Sequence, residues 1–307
     1  MSITQLTHPQ TTHTLEAHVG NTPLLRLERT AVACGLPATV ELYAKAEWFN
    51  PSGSVKDRAA LWIMQTAEEE GKLWPGMTLF DSTSGNMGIA YAMLGIPRGY
   101  KIKLVLPDSA SPERIAILRQ YGVDLVFSDG KQGSSGALRL ARQMAQADPG
   151  LFYANQYDNI ANWLAYYHTM APEIWRQTDG RITHFVTGLG SAGTFMGATL
   201  WLKQEDPAVQ CISIQPATAH EGIKGMKHMA TAVKPAIYDE TAADANVTIT
   251  RAEAEEMAQI LARQEGLLVG PSAAAAVAAT VNVARTLPRG VLVTVLPDNG
   301  LKYLSQM

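Results

Sequence analysis

Apolar strand-like segments and helix-like segments alternate along nearly the whole chain, and this alternation constrains the fold more than any other feature. The apolar runs at 101–106, 123–127 and 290–296 have the length of buried strands, and segments with helical signals separate them. Strands joined through helices pair in parallel, because a parallel connection needs a crossover of about a dozen residues or more. The sequence therefore predicts an α/β fold of mostly parallel, twisted sheets with helices on both faces.

Caps and periodicity give the element boundaries. Ser111 before Pro112 is typical of a helix start, and Thr250 with Glu253 has the pattern of a capping box. Residues 40–47 alternate apolar and polar, which predicts a half-exposed strand with Lys45 and Glu47 on its polar face. The predicted strands are 40–47, 77–81, 101–106, 123–127, 151–154, 183–187, 209–215 and 290–296. The predicted helices are 56–70, 86–94, 112–121, 135–147, 160–177, 194–203, 251–264 and 272–286.

Composition excludes several classes of protein. The 307 residues suffice for one large domain or two medium ones, and a formal net charge of −3 predicts no nucleic-acid or membrane partner. Cys34 and Cys211 are too few for a disulfide framework and form no CxxC pair, so we expect no structural zinc site. Residues 1–13 are polar, lack a signal-peptide pattern and are predicted to form a loose tail. We expect a cytoplasmic protein.

The loop from Asn50 to Val55 leads into a helix whose first turn carries Lys56. The helix dipole disfavours a cation at this end, and such placement lowers the pKa of a lysine, which suits a nucleophilic amine or a Schiff base. The alternative is a solvated lysine beside Asp57. Local chemistry leaves both interpretations open.

A second strand-to-helix loop, Asp81-Ser-Thr-Ser-Gly-Asn-Met-Gly88, carries three hydroxyls and an amide. Hydroxyls and backbone N–H groups at a helix start can bind a carboxylate. The alternative is an ordinary helix cap. A cap needs only one hydroxyl, so the sequence favours a binding loop.

A third loop, Gly188-Leu-Gly-Ser-Ala-Gly-Thr194, matches G-x-G-x-x-G between a strand and a helix. A dinucleotide site, as in a nicotinamide oxidoreductase, also needs an acidic residue at the end of the next strand, but that strand ends at Gln215. We therefore interpret the loop as a cradle for a single phosphate, in which Ser191 and Thr194 add hydroxyl donors. A tight packing turn explains the glycines but not these hydroxyls.

Other candidates are weaker on local grounds. Ser272, after Gly270 and Pro271, is interpreted as a helix N-cap. His168 and His184 have no second ligand at metal spacing, so we interpret both as structural and predict no metal site.

A lysine at a helix start, a hydroxyl-amide loop and a single-phosphate cradle together suggest pyridoxal 5'-phosphate, which has one aldehyde and one phosphate. From about residue 14 to the end, the chain resembles the cysteine synthase family, the O-acetylserine or O-phosphoserine sulfhydrylases. The motifs that carry the resemblance are Gly20-Asn-Thr-Pro-Leu-Leu-Arg-Leu27, Asn50-Pro-Ser-Gly-Ser-Val-Lys-Asp-Arg58, Thr83-Ser-Gly-Asn86, the glycine loop and Lys302-Tyr-Leu-Ser305.

The resemblance implies fold type II of the pyridoxal phosphate enzymes, as in tryptophan synthase β, and a homodimer. It also implies a large cofactor-binding domain of residues 14–48 and 161–307 and a small mobile domain of residues 49–160. Lys56 would bond to the cofactor and act as the catalytic base. The other cofactor ligands would be Asn86 at the ring hydroxyl, Ser272 at the ring nitrogen and, at the phosphate, Gly190, Ser191, Ala192, Gly193 and Thr194. The substrate carboxylate would be bound by Thr83, Ser84, Asn86 and Gln156.

The chain departs from the family pattern at Met87, where a threonine is usual, so one hydroxyl of the substrate site is lost. Milder departures are Ser191-Ala192 in the phosphate loop and Ala273-Ala274 after Ser272. Met87 puts the identity of the substrate and the rate in doubt, but not cofactor binding.

The resemblance implies β-replacement on an activated L-serine, with sulfide as the second substrate and L-cysteine as the product. O-acetylserine is the default donor. Lys227 stands where family members that use O-phosphoserine have an arginine, so it could bind a leaving phosphate. The alternative, a solvated pair of Lys224 and Lys227, is slightly favoured. Other open functions are cystathionine β-synthase-like condensation, synthesis of another β-substituted alanine, and a weakly active regulatory role, against which the retained Lys56 argues.

Overall fold

The computed structural model describes residues 14–83 and 85–306, so the predicted tail at 1–13 and Ser84 lie outside the described residues. Ten strands form two sheets in the described part of the chain. The strands are β1 (Leu24–Arg26), β2 (Val40–Ala46), β3 (Thr78–Ser82), β4 (Lys101–Pro107), β5 (Asp124–Ser128), β6 (Leu151–Tyr153), β7 (His184–Gly188), β8 (Gln210–Pro216), β9 (Ala245–Ile249) and β10 (Gly290–Leu296).

The larger sheet has the order β1-β2-β10-β7-β8-β9, and the smaller sheet has the order β5-β4-β3-β6. Every strand pair is parallel except β1 with β2, which is antiparallel. The helices are α1 (Glu28–Ala33), α2 (Lys56–Glu69), α3 (Asn86–Gly95), α4 (Pro112–Gln120), α5 (Gly133–Ala147), α6 (Ala161–Ala165), α7 (Ala171–Gln177), α8 (Gly193–Glu205), α9 (Arg251–Gln264) and α10 (Pro271–Ala284). None of these helices is long and apolar enough to cross a membrane.

Both sheets are covered on two faces, as the α/β prediction requires. In the smaller sheet, Phe80 packs with Ala137 and Ala141 of α5, while Leu79 on the opposite face packs in the core that includes α2 and α3. In the larger sheet, Leu292 faces α9 and α10, and its neighbour Val293 faces the core that includes α8. The predicted fold class is confirmed.

The capping signals at Ser111 and Thr250 are also confirmed. The Ser111 hydroxyl accepts a hydrogen bond from the Arg114 backbone N–H at 3.4 Å. Thr250 and Glu253 form a reciprocal capping box at the start of α9. The predicted helix at 160–177 is interrupted by a π-helical turn at Tyr166–Met170 between α6 and α7. The sequence analysis missed the short elements β1, α1 and β9.

The prediction that Lys45 and Glu47 lie on an exposed face is wrong, because both side chains are fully buried. With Arg58 and Glu173 they form a cluster of two cations and two anions, which we call the buried charge cluster. Lys45 Nζ lies 2.6 Å from Glu173 Oε2, Arg58 Nε lies 2.7 Å from Glu47 Oε2, and Arg58 NH1 lies 2.7 Å from Glu173 Oε1. Paired charges can be buried where single charges cannot.

Burial by itself would raise the pKa of the Glu173 carboxyl, but hydrogen bonds and charge from Arg58 and Lys45 lower it to about 2. Because this folded-state pKa lies below the ordinary value of 4.5, the ionised form stabilises the fold above that value. The stabilisation is lost as the pH falls toward 2.

We predict that Glu173→Gln destabilises the protein by about 3–5 kcal/mol, because it leaves Lys45 and Arg58 with only one buried carboxylate. The measurement is the free energy of unfolding in urea at pH 7. The matched control is Glu41→Gln, which breaks an exposed ion pair with Arg181 and should have little effect. A loss no larger than that of the control would contradict the prediction.

Candidate active site

A cavity of about 290 Å³ opens between the two sheets, where the carboxyl ends of their strands meet. Thr83 follows β3, Gln156 lies in the loop after β6, and Gly190 follows β7. The predicted site residues that line the cavity are Lys56, Thr83, Asn86, Met87, Gln156, Gly190, Ser191, Ala192, Thr194, Lys227 and Ser272. Gly193 lies behind the wall, and Ser84 is outside the described residues.

Lys56 is the first residue of α2, and its half-buried side chain lines the cavity. The helix start is held from behind by a hydrogen bond from the Val55 N–H to the Pro297 carbonyl at 2.8 Å. Asp57 accepts a hydrogen bond from the Ser52 N–H at 2.6 Å. Burial lowers the pKa of Lys56 to about 8, although the negative charge of Asp298 acts in the opposite direction. The amine is therefore partly neutral at physiological pH.

The glycine loop forms a tight cradle at the start of α8. A Cβ atom on Gly190 would lie 2.5 Å from the Gly225 carbonyl oxygen, so only glycine fits this close approach. Ala192 has a left-handed φ of 69°, and α8 begins at the next residue. Ser191 is buried and Thr194 is half-buried, and both line the cavity. A helix start with adjacent hydroxyls fits a single phosphate group.

Asn86 is fixed by the segment that follows β10. Its Nδ2 donates to Asp298 Oδ2 at 2.7 Å, and Lys302 Nζ donates to its Oδ1 at 3.2 Å. The Tyr303 hydroxyl donates to the same Asp298 oxygen at 2.6 Å. The sequence analysis missed Asp298, although its place just beyond the carboxyl end of β10 is where such folds bind ligands.

Thr83 and Gln156 lie side by side where β3 and β6 end. The Thr83 hydroxyl oxygen accepts from the Gly85 N–H at 2.9 Å, so its own hydrogen is left to donate. Gln156 Nε2 donates to the Ser82 carbonyl at 2.7 Å, which leaves the second hydrogen of this amide. Met87, buried in the same wall, has no hydrogen-bond donor in its side chain. The interpretation of this loop as an ordinary helix cap is wrong, because the N-cap of α3 is Gly85, which has no side chain to cap with. Thr83 accepts from N–H groups at the helix start and keeps a free donor.

The interpretation of Ser272 as an N-cap is wrong, because Gly270 is the N-cap of α10 and Pro271 occupies the first turn. Ser272 is 7% exposed and lines the cavity beside Gly225, whose added Cβ would lie 3.2 Å from the Ser272 hydroxyl oxygen. A neutral hydroxyl is therefore presented to the cavity from the start of this helix.

The interpretation of Lys224 and Lys227 as a solvated pair is also wrong. Lys227 is only 6% exposed, and its Nζ has no hydrogen-bond partner among the described residues. The ammonium lies 4.3 Å from the centre of the Tyr157 ring, within cation–π distance. Burial, and then the charge of Arg142, lower the pKa of Lys227 to about 8. The cavity wall thus holds a second amine that a bound anion would satisfy.

His168 and His184 do not line this cavity. His168 is exposed and stacks on Trp62 with ring centres 5.0 Å apart, and His184 begins β7. Within residues 14–83 and 85–306, no three His, Cys, Asp or Glu side chains cluster as metal ligands would.

The cavity therefore fits a small molecule with one aldehyde and one phosphate, together with an amino acid. A lysine amine with a lowered pKa can attack an aldehyde, and a glycine cradle at a helix start can hold a phosphate. Hydroxyl and amide donors at the ends of β3 and β6 can bind a carboxylate.

Comparison with known proteins agrees with this reading of the cavity. Residues 15–298 match the family described as pyridoxal-phosphate dependent enzyme. A cysteine synthase of Aquifex aeolicus is 42% identical over 292 residues, 94% of this chain and 89% of that protein. O-ureido-L-serine synthase of Streptomyces lavendulae is 39% identical over 295 residues, 94% of this chain and 89% of that protein. The crystal structure of O-acetyl serine sulfhydrylase isoform 3 from Entamoeba histolytica has a TM-score of 0.89 at 31% identity, over 99% of this chain and 93% of that chain.

We predict that Lys56 titrates near pH 8 when the cavity is free of aldehydes, because burial disfavours its charged form. The measurement is the rate of trace acetylation of Lys56 in the full-length chain, resolved by mass spectrometry from pH 6 to 11. Nα-acetyl-lysine amide, with a pKa of about 10.4, is the reference. A Lys56 midpoint that coincides with the reference would show that the amine is not desolvated.

Proposed function

Because the chain belongs to the cysteine synthase family of pyridoxal phosphate-dependent enzymes, we propose that it forms L-cysteine from O-acetyl-L-serine and sulfide. One observation carries this proposal. A lysine amine with a lowered pKa, a phosphate cradle and a group of carboxylate-binding donors open onto the same cavity. A β-replacement enzyme of this kind is a transferase and needs all three.

The cofactor site uses three sides of the cavity. Lys56 would bond to the aldehyde, Asn86 would bind the ring hydroxyl and Ser272 would hold the ring nitrogen. The phosphate is held by the glycine loop, whose residues are Gly190, Ser191, Ala192, Gly193 and Thr194. When bound, the cofactor supplies an electron sink for the α-carbon of the substrate.

The substrate carboxylate lies against the ends of β3 and β6. Thr83 donates the hydroxyl hydrogen that its helix contacts leave unused, and Gln156 donates the second hydrogen of its amide. By the family resemblance, Asn86 would also bind the carboxylate, and so would Ser84, which lies outside the described residues. Met87 contributes only apolar contact, so the carboxylate is held by one hydroxyl fewer than in the usual family pattern.

We propose that Lys56 also transfers the proton of the substrate's α-carbon. With cofactor and substrate bound, the Lys56 amine would serve as the general base that takes the α-proton of the substrate. A pKa of about 8 makes the neutral, basic form accessible near physiological pH. Ser272, being neutral, keeps the ring a weaker electron sink than a carboxylate partner would, which favours departure of the β-substituent.

The nucleophile and the assembly are further parts of the proposal. We take sulfide as the nucleophile. Homocysteine, and the nucleophiles that would give another β-substituted alanine, are the competing substrates to assay.

The second part of the proposal is the domain division. The small domain at 49–160 closes over the large domain formed by 14–48 and 161–307. The smaller sheet falls entirely within the first of these ranges, which supports that division. A homodimer and a cytoplasmic location are proposed from the family resemblance alone.

The buried amine of Lys227 favours a second donor substrate beside O-acetylserine. Its Nζ lacks a hydrogen-bond partner among the described residues, and a departing phosphate would supply one. We therefore propose that the enzyme also accepts O-phosphoserine. A lysine provides charge without the planar fork of arginine, so selectivity for phosphate should be moderate.

We predict that the protein loaded with pyridoxal phosphate makes cysteine from O-acetylserine and sulfide, and that Lys56→Ala lowers kcat about 10²- to 10⁴-fold. The loss follows because Lys56 is the proposed base for the α-proton. The control is Lys72→Ala, at an exposed position far from the cavity lining. Cysteine formation by Lys56→Ala at the wild-type rate would contradict the proposal, and turnover with homocysteine but not sulfide would favour the condensation reaction.

We predict that Lys227→Met lowers kcat/KM for O-phosphoserine about 10- to 100-fold more than kcat/KM for O-acetylserine. A charged contact of about 1.5–3 kcal/mol is lost for the phosphate donor only. Lys234→Met, at an exposed position that does not line the cavity, is the control. Equal losses for the two donors, or no turnover of O-phosphoserine by the wild type, would exclude this role for Lys227.

A further inference from the structure

Gln156 and the phosphate loop are joined behind the cavity wall by one buried side chain, Asn162. Asn162 is 0% exposed and lies in α6, outside the residues that line the cavity. Its Nδ2 donates to the Gln156 carbonyl at 2.6 Å and to the Ser191 hydroxyl oxygen at 3.2 Å. One amide nitrogen thus contacts both the substrate side and the phosphate side of the site.

The orientation of the Asn162 amide follows from its partners. The Gln156 carbonyl only accepts hydrogen bonds, so the atom that faces it must be the nitrogen. This nitrogen carries two hydrogens, enough for both contacts at once. On the other side, an added Cβ on Gly193 would lie 2.1 Å from Asn162 Oδ1, so the loop backbone packs closely against the amide.

The contact with Ser191 sets the direction of a hydroxyl. The Ser191 oxygen accepts from Asn162, so the hydroxyl hydrogen is left to donate elsewhere, and Ser191 lines the cavity. A phosphate group presents only acceptors and needs a donor at this place. Asn162 therefore turns Ser191 into a donor without touching the phosphate.

Gln156 is held in place from three sides. Its N–H donates to Asp81 Oδ2 at 3.2 Å, its side-chain amide donates to the Ser82 carbonyl, and its carbonyl accepts from Asn162. Of these contacts, only the one from Asn162 reaches the phosphate loop. The two halves of the site are thereby kept in register by a single amide.

We propose that Asn162 is a positioning residue that orients Ser191 toward the cofactor phosphate and holds Gln156 for the substrate carboxylate. This inference rests on the proposed function, since it assumes a phosphate on one side and an amino acid on the other. Its distinctive consequence is that loss of Asn162 weakens binding of the cofactor through the phosphate and not through the ring.

The test compares pyridoxal phosphate with pyridoxal, which lacks the phosphate, in titrations of the full-length chain. Asn162→Ala should raise the Kd of pyridoxal phosphate about 10-fold and that of pyridoxal less than about 3-fold, because the contact with Ser191 and the direction of a phosphate donor are lost together. KM for O-acetylserine should rise more than kcat falls. In a Ser191→Ala background, Asn162→Ala should add less than about 3-fold, because the two residues act as one unit.

Asn159→Ala is the matched control in the same segment. The Asn159 side chain donates a hydrogen bond to the Ala154 carbonyl and accepts one from the Ala161 N–H. It makes no hydrogen bond to Gln156 or Ser191. Asn162→Leu, which is uncharged and of similar size but lacks the two donors, serves if the alanine variant does not fold. Equal losses for the two aldehydes, or an undiminished effect in the Ser191→Ala background, would overturn the inference. The proposed function fails separately, if the wild type neither binds pyridoxal phosphate nor makes cysteine.

Discussion

The site depends on the buried charge cluster more than on any other interaction. Arg58 lies in the first turn of α2, two residues beyond Lys56. Its guanidinium donates hydrogen bonds to the carboxylates of Glu47 and Glu173. The cluster therefore ties the helix that carries the reactive amine to the end of β2 and to α7. Because the cluster has two cations and two anions, it has no net charge, and its burial costs less than the burial of unpaired charges would. The position of Lys56 is thus fixed from behind, and its amine is left facing the cavity.

The chain uses its lysines in two opposite ways. Lys45 is buried 2.6 Å from Glu173 Oε2, and the charge of Glu173 partly offsets the lowering of the Lys45 pKa by burial. Lys56 and Lys227 line the cavity, and burial lowers the pKa of each to about 8. An amine without a tight carboxylate partner can exchange protons or bind an incoming anion, whereas a paired one cannot. The chain thus separates a lysine that belongs to an ion pair from two lysines that line the cavity with lowered pKa values.

Much of the fold and part of the site could be predicted from the sequence, because their signals are local. Strand length, helix caps such as Thr250 and the loop placement of Lys56 and Asn86 need only neighbouring residues. The burial of Lys45 could not be predicted, because Glu173 lies on a distant element and alternation alone assigns a polar residue to the surface. Lys227 was misjudged for the same reason, since its burial against Tyr157 is tertiary. Asn162 gave no local signal, because its partners meet only when α6 packs against the phosphate loop.

The central claim is that Lys56 binds pyridoxal phosphate in an enzyme that works on an activated serine. Borohydride reduction of the holoenzyme followed by peptide mapping tests it most directly, because reduction makes the lysine–cofactor bond permanent. The account predicts one modified peptide, with the cofactor mass on Lys56, and protection of that lysine when O-acetylserine is added before the reductant. Cofactor mass on another lysine, or no modification of a protein that nevertheless forms cysteine, would contradict it.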